Sequence, residues 1–233
     1  MCGRFSLTLP TEAIGRLFGV DVENAPPLRA RYNIAPSQRI AAIRINDESK
    51  ARELALLHWG FVPAWARDPA SMNQPINARG ESVEAKPMFR DAFRKRRCLI
   101  PADGFYEWKK TAAGKQPWRI ERADGAPLAF AGLWDRWQGR DGAAIESCVI
   151  LTTEANDAMR PFRLQMPVIL RPENYAFWLQ PDPEQYEAAL AILKPYPSSR
   201  MDRFRVGPFV NDIDNDDKQC LDALVAEDEE VPS

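Results

Sequence analysis

The sequence predicts a single α+β domain, with an antiparallel or mixed sheet at its core and helices at the periphery. Three observations lead there. Short segments rich in Val, Ile, Phe, Trp and Tyr follow one another instead of alternating regularly with helical segments. Each is of strand length and bounded by Gly, Pro, Asn or Asp. No repeat or low-complexity linker divides the 233 residues.

In chain order, strands are expected at residues 4–9, 39–45, 53–62, 98–100, 105–109, 117–121, 128–134, 147–152, 168–170 and 203–206. Tight turns are readable at Ala113-Gly114 and at Ala123-Asp124-Gly125. A first helix is expected over 11–18, where Ile14, Leu17 and Phe18 fall on one face behind a Thr11 cap. A second, over 82–95, brings Met88 or Phe89 together with Ala92 and Phe93. It ends on the basic run Arg94, Lys95, Arg96, Arg97, where cations suit the helix dipole. Pro172 and Pro183 stand where first-turn prolines belong, opening helices over 173–179 and 184–193.

Charge and composition exclude several classes. The net charge of -2 argues against nucleic acid at first sight. The average conceals an asymmetry, since residues 211–233 hold nine acids and one base, Lys218, which leaves 30 bases and 24 acids before them, about +6. No apolar run reaches the roughly 18 residues of a membrane span, and the start MCGRFSLTLP lacks a signal-peptide layout. The chain is expected to stay in the cytoplasm. Cys2, Cys98, Cys148 and Cys220 show no CxxC spacing, which points to a reducing compartment and to neither zinc nor a disulfide framework. With His58 as the sole histidine, a His cluster for metal or proton relay is ruled out, and no cofactor is called for.

The remaining chemistry lies in a few places. If Met1 is removed, Cys2 presents an α-amine and a thiol on adjacent carbons, with reference pKa values of about 8 and 8.5, and Arg4 nearby is expected to lower both. A cysteine at position 2 can equally be incidental. In Asp103-Gly104-Phe105-Tyr106-Glu107-Trp108, strand alternation sets Glu107 among aromatics, where desolvation raises a carboxyl pKa. The alternative for Glu107 is a cross-strand ion pair with an arginine. Residues 75–82 read as a turn into the second helix, with Asn77 and Arg79 on the loop. There they either hold a polar ligand or phosphate, or Asn77 simply caps the helix. Trp65, beside Ala66-Arg67, suits base stacking, although most Trp residues are buried. His58 reads as a core or edge residue of its strand.

Taken together, the blocks MCGRF, RYNIAPSQ (31–38), WGFVPAW (59–65), INARGES (76–82), RRCLIPADGFYEW (96–108), ILTTEAN (150–156), MPVIL (166–170) and VNDIDNDD (210–217) resemble the SRAP family of SOS-response-associated peptidases, whose members protect abasic sites in single-stranded DNA. The resemblance implies a β-barrel-like sheet with flanking helices over residues 1–226, followed by an acidic tail, 227–233. It also implies that Cys2, after loss of Met1, condenses with the abasic aldehyde to a thiazolidine crosslink, with Glu107 shuttling protons and Asn77 orienting the terminus or sugar. Arg4 and Arg79 would hold phosphates, and Pro36, Trp65 and Thr152 would line the DNA path. The same centre would remove Met1. The implied partners are single-stranded DNA with abasic sites and replication-fork proteins, with no membrane; the protein is expected to be a monomer, on the nucleoid when bound to DNA.

One departure stands out. Family members carry His in a pattern like HDRMPVIL, whereas here Arg163 holds that place and Gln165 replaces an Arg. Arginine stays protonated, so Arg163 can grip phosphate or stabilise an oxyanion but cannot move a proton, which leaves Glu107 to work alone. Two other readings follow. One is a non-covalent DNA-binding protein with impaired catalysis. The other is an N-terminal-cysteine amidohydrolase, since such domains also begin Met-Cys-Gly, although HRGPD-like and NGE-like pocket motifs are absent.

Overall fold

The computed structural model of the chain describes residues 2–112, 114–180 and 182–224. In order, its elements are β1 (Phe5–Leu7), α1 (Thr11–Phe18), β2 (Arg31–Ile34), β3 (Arg39–Ile45), β4 (Arg52–Trp59), β5 (Asn77–Arg79), α2 (Pro87–Lys95), β6 (Arg97–Ala102), β7 (Gly104–Thr111) and β8 (Gly114–Arg122). There follow β9 (Leu128–Gln138), β10 (Ala144–Glu154), β11 (Gln165–Pro167), α3 (Tyr175–Leu179), α4 (Tyr186–Ala191) and β12 (Met201–Arg205). The order β10-β4-β3-β6-β9 closes on itself through β9–β10 into a five-stranded mixed barrel, in which only β4 and β10 run parallel. A second sheet, β12-β8-β7-β1-β2, is antiparallel throughout. The α+β barrel-like expectation therefore holds.

Strand β10 joins the barrel to its extension. Its first part, Ala144 to Ile150, pairs with β9, and its later residues pair with β5 (Ile150↔Asn77, Thr152↔Arg79) and with β11 (Thr153↔Met166, Glu154↔Gln165). A lattice running past the apolar stretch explains why β9 and β10 outrun the expected 128–134 and 147–152: backbone pairing continues through polar residues such as Arg136 and Glu146.

Several local expectations are corrected. Helix α2 begins at Pro87, not at residue 82, because a residue preceding proline is disfavoured in the α region; Lys86 is extended (φ -82, ψ 120). Thr11 does not cap α1. Pro10 occupies that position, and the Thr11 hydroxyl accepts from the Leu28 N–H at 2.8 Å. Residues 75–82 are not a loop into a helix, since Asn77–Arg79 forms β5. The strand expected at 168–170 lies at β11 instead, with Ile169 making a single bridge to Phe130. The acidic end, 227–233, and the boundary at residue 226 lie outside the described residues. Among the described residues no helix is long and apolar enough to cross a membrane.

The core gathers where β1 lies over the barrel. Phe5 packs edge-on against Trp59 of β4 and Phe130 of β9, with ring centroids 5.3 and 5.9 Å apart, and Phe105 meets Phe130 at 5.9 Å. Burial of a Phe side chain contributes roughly 1.5–3 kcal/mol, and edge-to-face contacts add to it. Three residues from Cys2, this anchor fixes the course of the chain's first segment. Phe5→Ala should destabilise the fold by about 3–5 kcal/mol in chemical denaturation; a loss below roughly 1 kcal/mol would show that β1 is dispensable to the core.

Candidate active site

The register of β1 on β7 sets the site. Phe5 faces Phe105, and the Tyr106 N–H donates to the Arg4 carbonyl at 2.9 Å, so continuing the antiparallel pairing carries Gly3 and Cys2 alongside Glu107. From the barrel extension, the Asn77 Nδ2 of β5 donates to the Cys2 carbonyl at 2.7 Å. The segment before β11 supplies Arg163, whose Nε lies 3.1 Å from the Glu107 Oε2. Both sheets thus converge on one point. Cys2, Asn77, Glu107 and Arg163 are brought together there, although 161 positions separate the first from the last.

The electrostatics differ from the sequence expectation. Cys2 is fully buried, and burial, reinforced by the Glu107 charge, pushes its thiol up to about 12. Arg4 does not counter this from its side chain. Its Nη1 is committed to the Asn33 Oδ1 at 2.7 Å and the Val210 carbonyl at 2.9 Å, with the guanidinium 5.5 Å from the Trp108 ring. Glu107 is also buried, which raises its carboxyl pKa, and the adjacent Arg163 opposes the rise. Its arginine partner, Arg163, comes from a loop and not from across the strand. Strand alternation places Phe105 in the main core and Tyr106 with Trp108 against the C-terminal segment, as expected.

Around this point lie the other candidates. Arg4, Trp108, Lys115, Arg163 and Asn211 line a cleft of about 350 Å³. Arg79 is exposed at the end of β5, and Pro36 sits half-buried before Ser37, whose φ of 67° makes the sharp turn into β3. Trp65 is 56% exposed, yet its neighbours are both pinned: the Ala64 N–H donates to the Asp135 carboxylate at 2.8 Å, and the Ala66 carbonyl accepts from the Trp137 indole at 2.7 Å. The backbone on both sides of the exposed indole is thus fixed. Thr152 is buried, and its hydroxyl bonds Gln165 Oε1 at 2.9 Å, so its side chain braces β11 from inside. The basic run 94–97 is divided, with Arg94 and Lys95 exposed and the other two held in the fold. Arg96 pairs with Asp135 at 2.9 Å, and Arg97 is buried between the Phe93 and Trp178 rings, where desolvation brings its pKa down to about 10.

A profile of the family described as SOS response associated peptidase (SRAP) matches residues 1–213. The chain belongs to the SRAP family. It is 40% identical over 226 residues to the abasic site processing protein YoaM of Bacillus subtilis, covering 96% of this chain and 98% of that SRAP relative. It is 38% identical over 226 residues to YoqW of the same organism, also named an abasic site processing protein, covering 96% and 100%. A crystal structure of a protein from Bacteroides thetaiotaomicron superposes with a TM-score of 0.84 at 26% identity, over 96% of this chain and all of that one.

Two residues that build this SRAP site escaped the sequence reading. Asn33 fixes Arg4, and Asp135 fixes the Trp65 loop. The available signal was a polar residue inside a strand-like run, Tyr32-Asn33-Ile34, and a carboxylate beside aromatics, Trp134-Asp135. All four cysteines are buried, so with Met1 in place none should react rapidly with a thiol reagent near neutral pH, and each should do so on unfolding. A fast-labelling Cys2 in the folded, unprocessed chain would contradict the raised thiol pKa.

Proposed function

We propose that the chain processes abasic sites in single-stranded DNA, with Cys2 as the covalent nucleophile once Met1 has been removed. The supporting observation is the meeting of the Cys2 main chain, Asn77 and the Glu107–Arg163 pair. The names of the relatives YoaM and YoqW point to the same lesion. Hydrolysis of the Met1–Cys2 peptide bond, by a water that Glu107 deprotonates, frees an α-amine beside the thiol. That amine adds to the ring-opened aldehyde of the abasic sugar, and loss of water gives an imine. The Cys2 sulfur then adds to the imine carbon, the proton going to nitrogen, to close a thiazolidine. One C–N and one C–S bond form, one water leaves, and nothing is oxidised.

Glu107 accepts the proton of the attacking amine and returns it to the departing hydroxyl. Asn77 holds the Cys2 carbonyl with its Nδ2, while its Oδ1, buried and without a hydrogen-bond partner among the described residues, accepts from the new α-ammonium. Arg163 opposes the rise that burial causes in the Glu107 carboxyl pKa and offers its exposed edge to a phosphate, with Arg4 lining the same cleft and Arg79 exposed at the end of β5. Pro36 and Trp65 support neighbouring nucleotides.

Incubation of the processed protein with abasic single-stranded DNA should give a denaturant-resistant band. The same band from Cys2→Ala would refute the reading. Glu107→Gln should slow crosslinking by roughly 10²–10⁴-fold. The pH profile tests Arg163. A rate that needs ionised Glu107 rises with pH through that carboxyl's pKa, which burial raises and Arg163 lowers. Arg163→Gln removes the lowering charge, so the ascending limb should move to higher pH. A limb that stays in place would separate Arg163 from the proton transfer.

A further inference from the structure

A second cleft, of about 610 Å³, lies apart from the site above. It opens where β4 and β10 splay, since these parallel strands pair only at His58↔Ser147 and Trp59↔Cys148. Arg39, His58, Gln74, Arg136 and Glu146 contribute its polar lining. Glu146 is already held by Arg44 at 2.9 Å, and Arg44 in turn holds Glu53 at 2.6 Å. Arg39 and Arg136 are exposed, and among the described residues neither has a carboxylate within ion-pair distance. One Nη of Arg39 is fixed on the Leu56 carbonyl at 3.0 Å, which orients its guanidinium and leaves its other donors open. His58 Nε2 lies 3.1 Å from Gln74 Oε1 and closes the neck of the loop between them.

The cleft groups stand at the roots of the segments assigned to the DNA path. Arg39 follows the Pro36–Ser37 turn and pairs in register with His58. The loop bearing Trp65 leaves β4 just after His58 and returns through Gln74, three positions before Asn77. Arg136 lies between Asp135 and Trp137, the residues that pin that loop. Two guanidinium groups with donors to spare line this one cleft, a combination suited to an anion. We propose that this cleft binds phosphate, and that its occupant is a backbone phosphate of the DNA strand flanking the lesion. The inference rests on the functional reading above for the identity of the occupant, but not for phosphate binding itself.

His58 is the sole histidine, so its ring signals report the cleft without further assignment. Titration with inorganic phosphate should shift the ring resonances of His58 and the Nε–H signals of Arg39 and Arg136; unmoved signals would overturn the phosphate site. Strand binding is then compared for abasic oligonucleotides of about five and about fifteen nucleotides. On the longer one, Arg39→Gln and Arg136→Gln should each weaken binding by about fivefold at 0.1 M salt and lower the salt slope by about 0.7, the value for one released counterion on a single strand. The shorter one should not respond. Equal loss on both lengths, no loss on the longer one, or tighter binding of a mononucleotide than of DNA in this cleft would each overturn the assignment to flanking backbone. A failed Cys2 crosslink in the wild-type protein would instead strike the functional reading and leave the phosphate titration to be judged separately.

Discussion

The side-chain amide of Asn33 ties together three parts of the chain that are far apart in sequence. It is fully buried, and its Nδ2 donates to the carbonyls of Val210, Asp212 and Asn215, at 3.2, 2.8 and 2.8 Å, while its Oδ1 accepts from Arg4. Asp216 completes the clasp by accepting from the N–H groups of Tyr32 and Asn33 and pairing with Arg31. A buried amide stripped of such partners costs about 1–3 kcal/mol, so the three segments hold or fail together. Arg4 stands two residues after Cys2, and the course of the chain at Cys2 is therefore set from the C-terminal segment on one side and from the Phe5 anchor on the other. The position of Cys2 is a property of the whole fold.

The second constraint is the burial of Glu107. A carboxylate removed from water is stable only with compensation, and Arg163 supplies it from a partly exposed position. A histidine in that place would carry its own proton and exchange it near neutral pH. An arginine cannot, so any proton that moves between Glu107 and a reacting group leaves Arg163 as a fixed cation. Towards Glu107, Arg163 acts through its fixed charge, as an electrostatic brace. It also couples the site to β11, because the next two positions lead to Gln165, which braces Thr152 inside the barrel extension.

Much of this was legible in the sequence where a signal is local. The α+β class, α1 over residues 11–18, and the candidate nature of Cys2, Asn77 and Glu107 all rest on short motifs. What escaped depends on pairing across long separations. The carbonyls that accept from Asn33 lie 177 to 182 positions away, so nothing in its neighbourhood marks it as a clasp. The Arg4 side chain sits near Cys2 in sequence, yet it turns towards Asn33, and proximity in sequence misjudged the thiol. Thr152 lies in a strand-like run beside the site, but the parallel pairing with Arg79 buries it, which periodicity alone does not reveal.

Charge counting shows the same limit in another form. Setting aside all of residues 211–233 gave a strongly basic body, but Asp216 is built into the fold through Arg31, Tyr32 and Asn33, and burial, the first influence on it, is outweighed by these donors so that its pKa falls. Only the four acids after residue 224 lie outside the described part, leaving 31 bases against 29 acids, about +2. Of those bases Arg44, Arg96, Arg119 and Arg122 are committed to carboxylates and Arg97 to aromatic rings. A near-neutral protein can still hold a polyanion, provided its uncommitted cations are gathered in one place. Arg39, Arg79 and Arg136 are such cations, and each stands on or beside a segment that leads towards the Cys2 site. It is their arrangement, not the net charge, on which an affinity for a phosphate chain would rest.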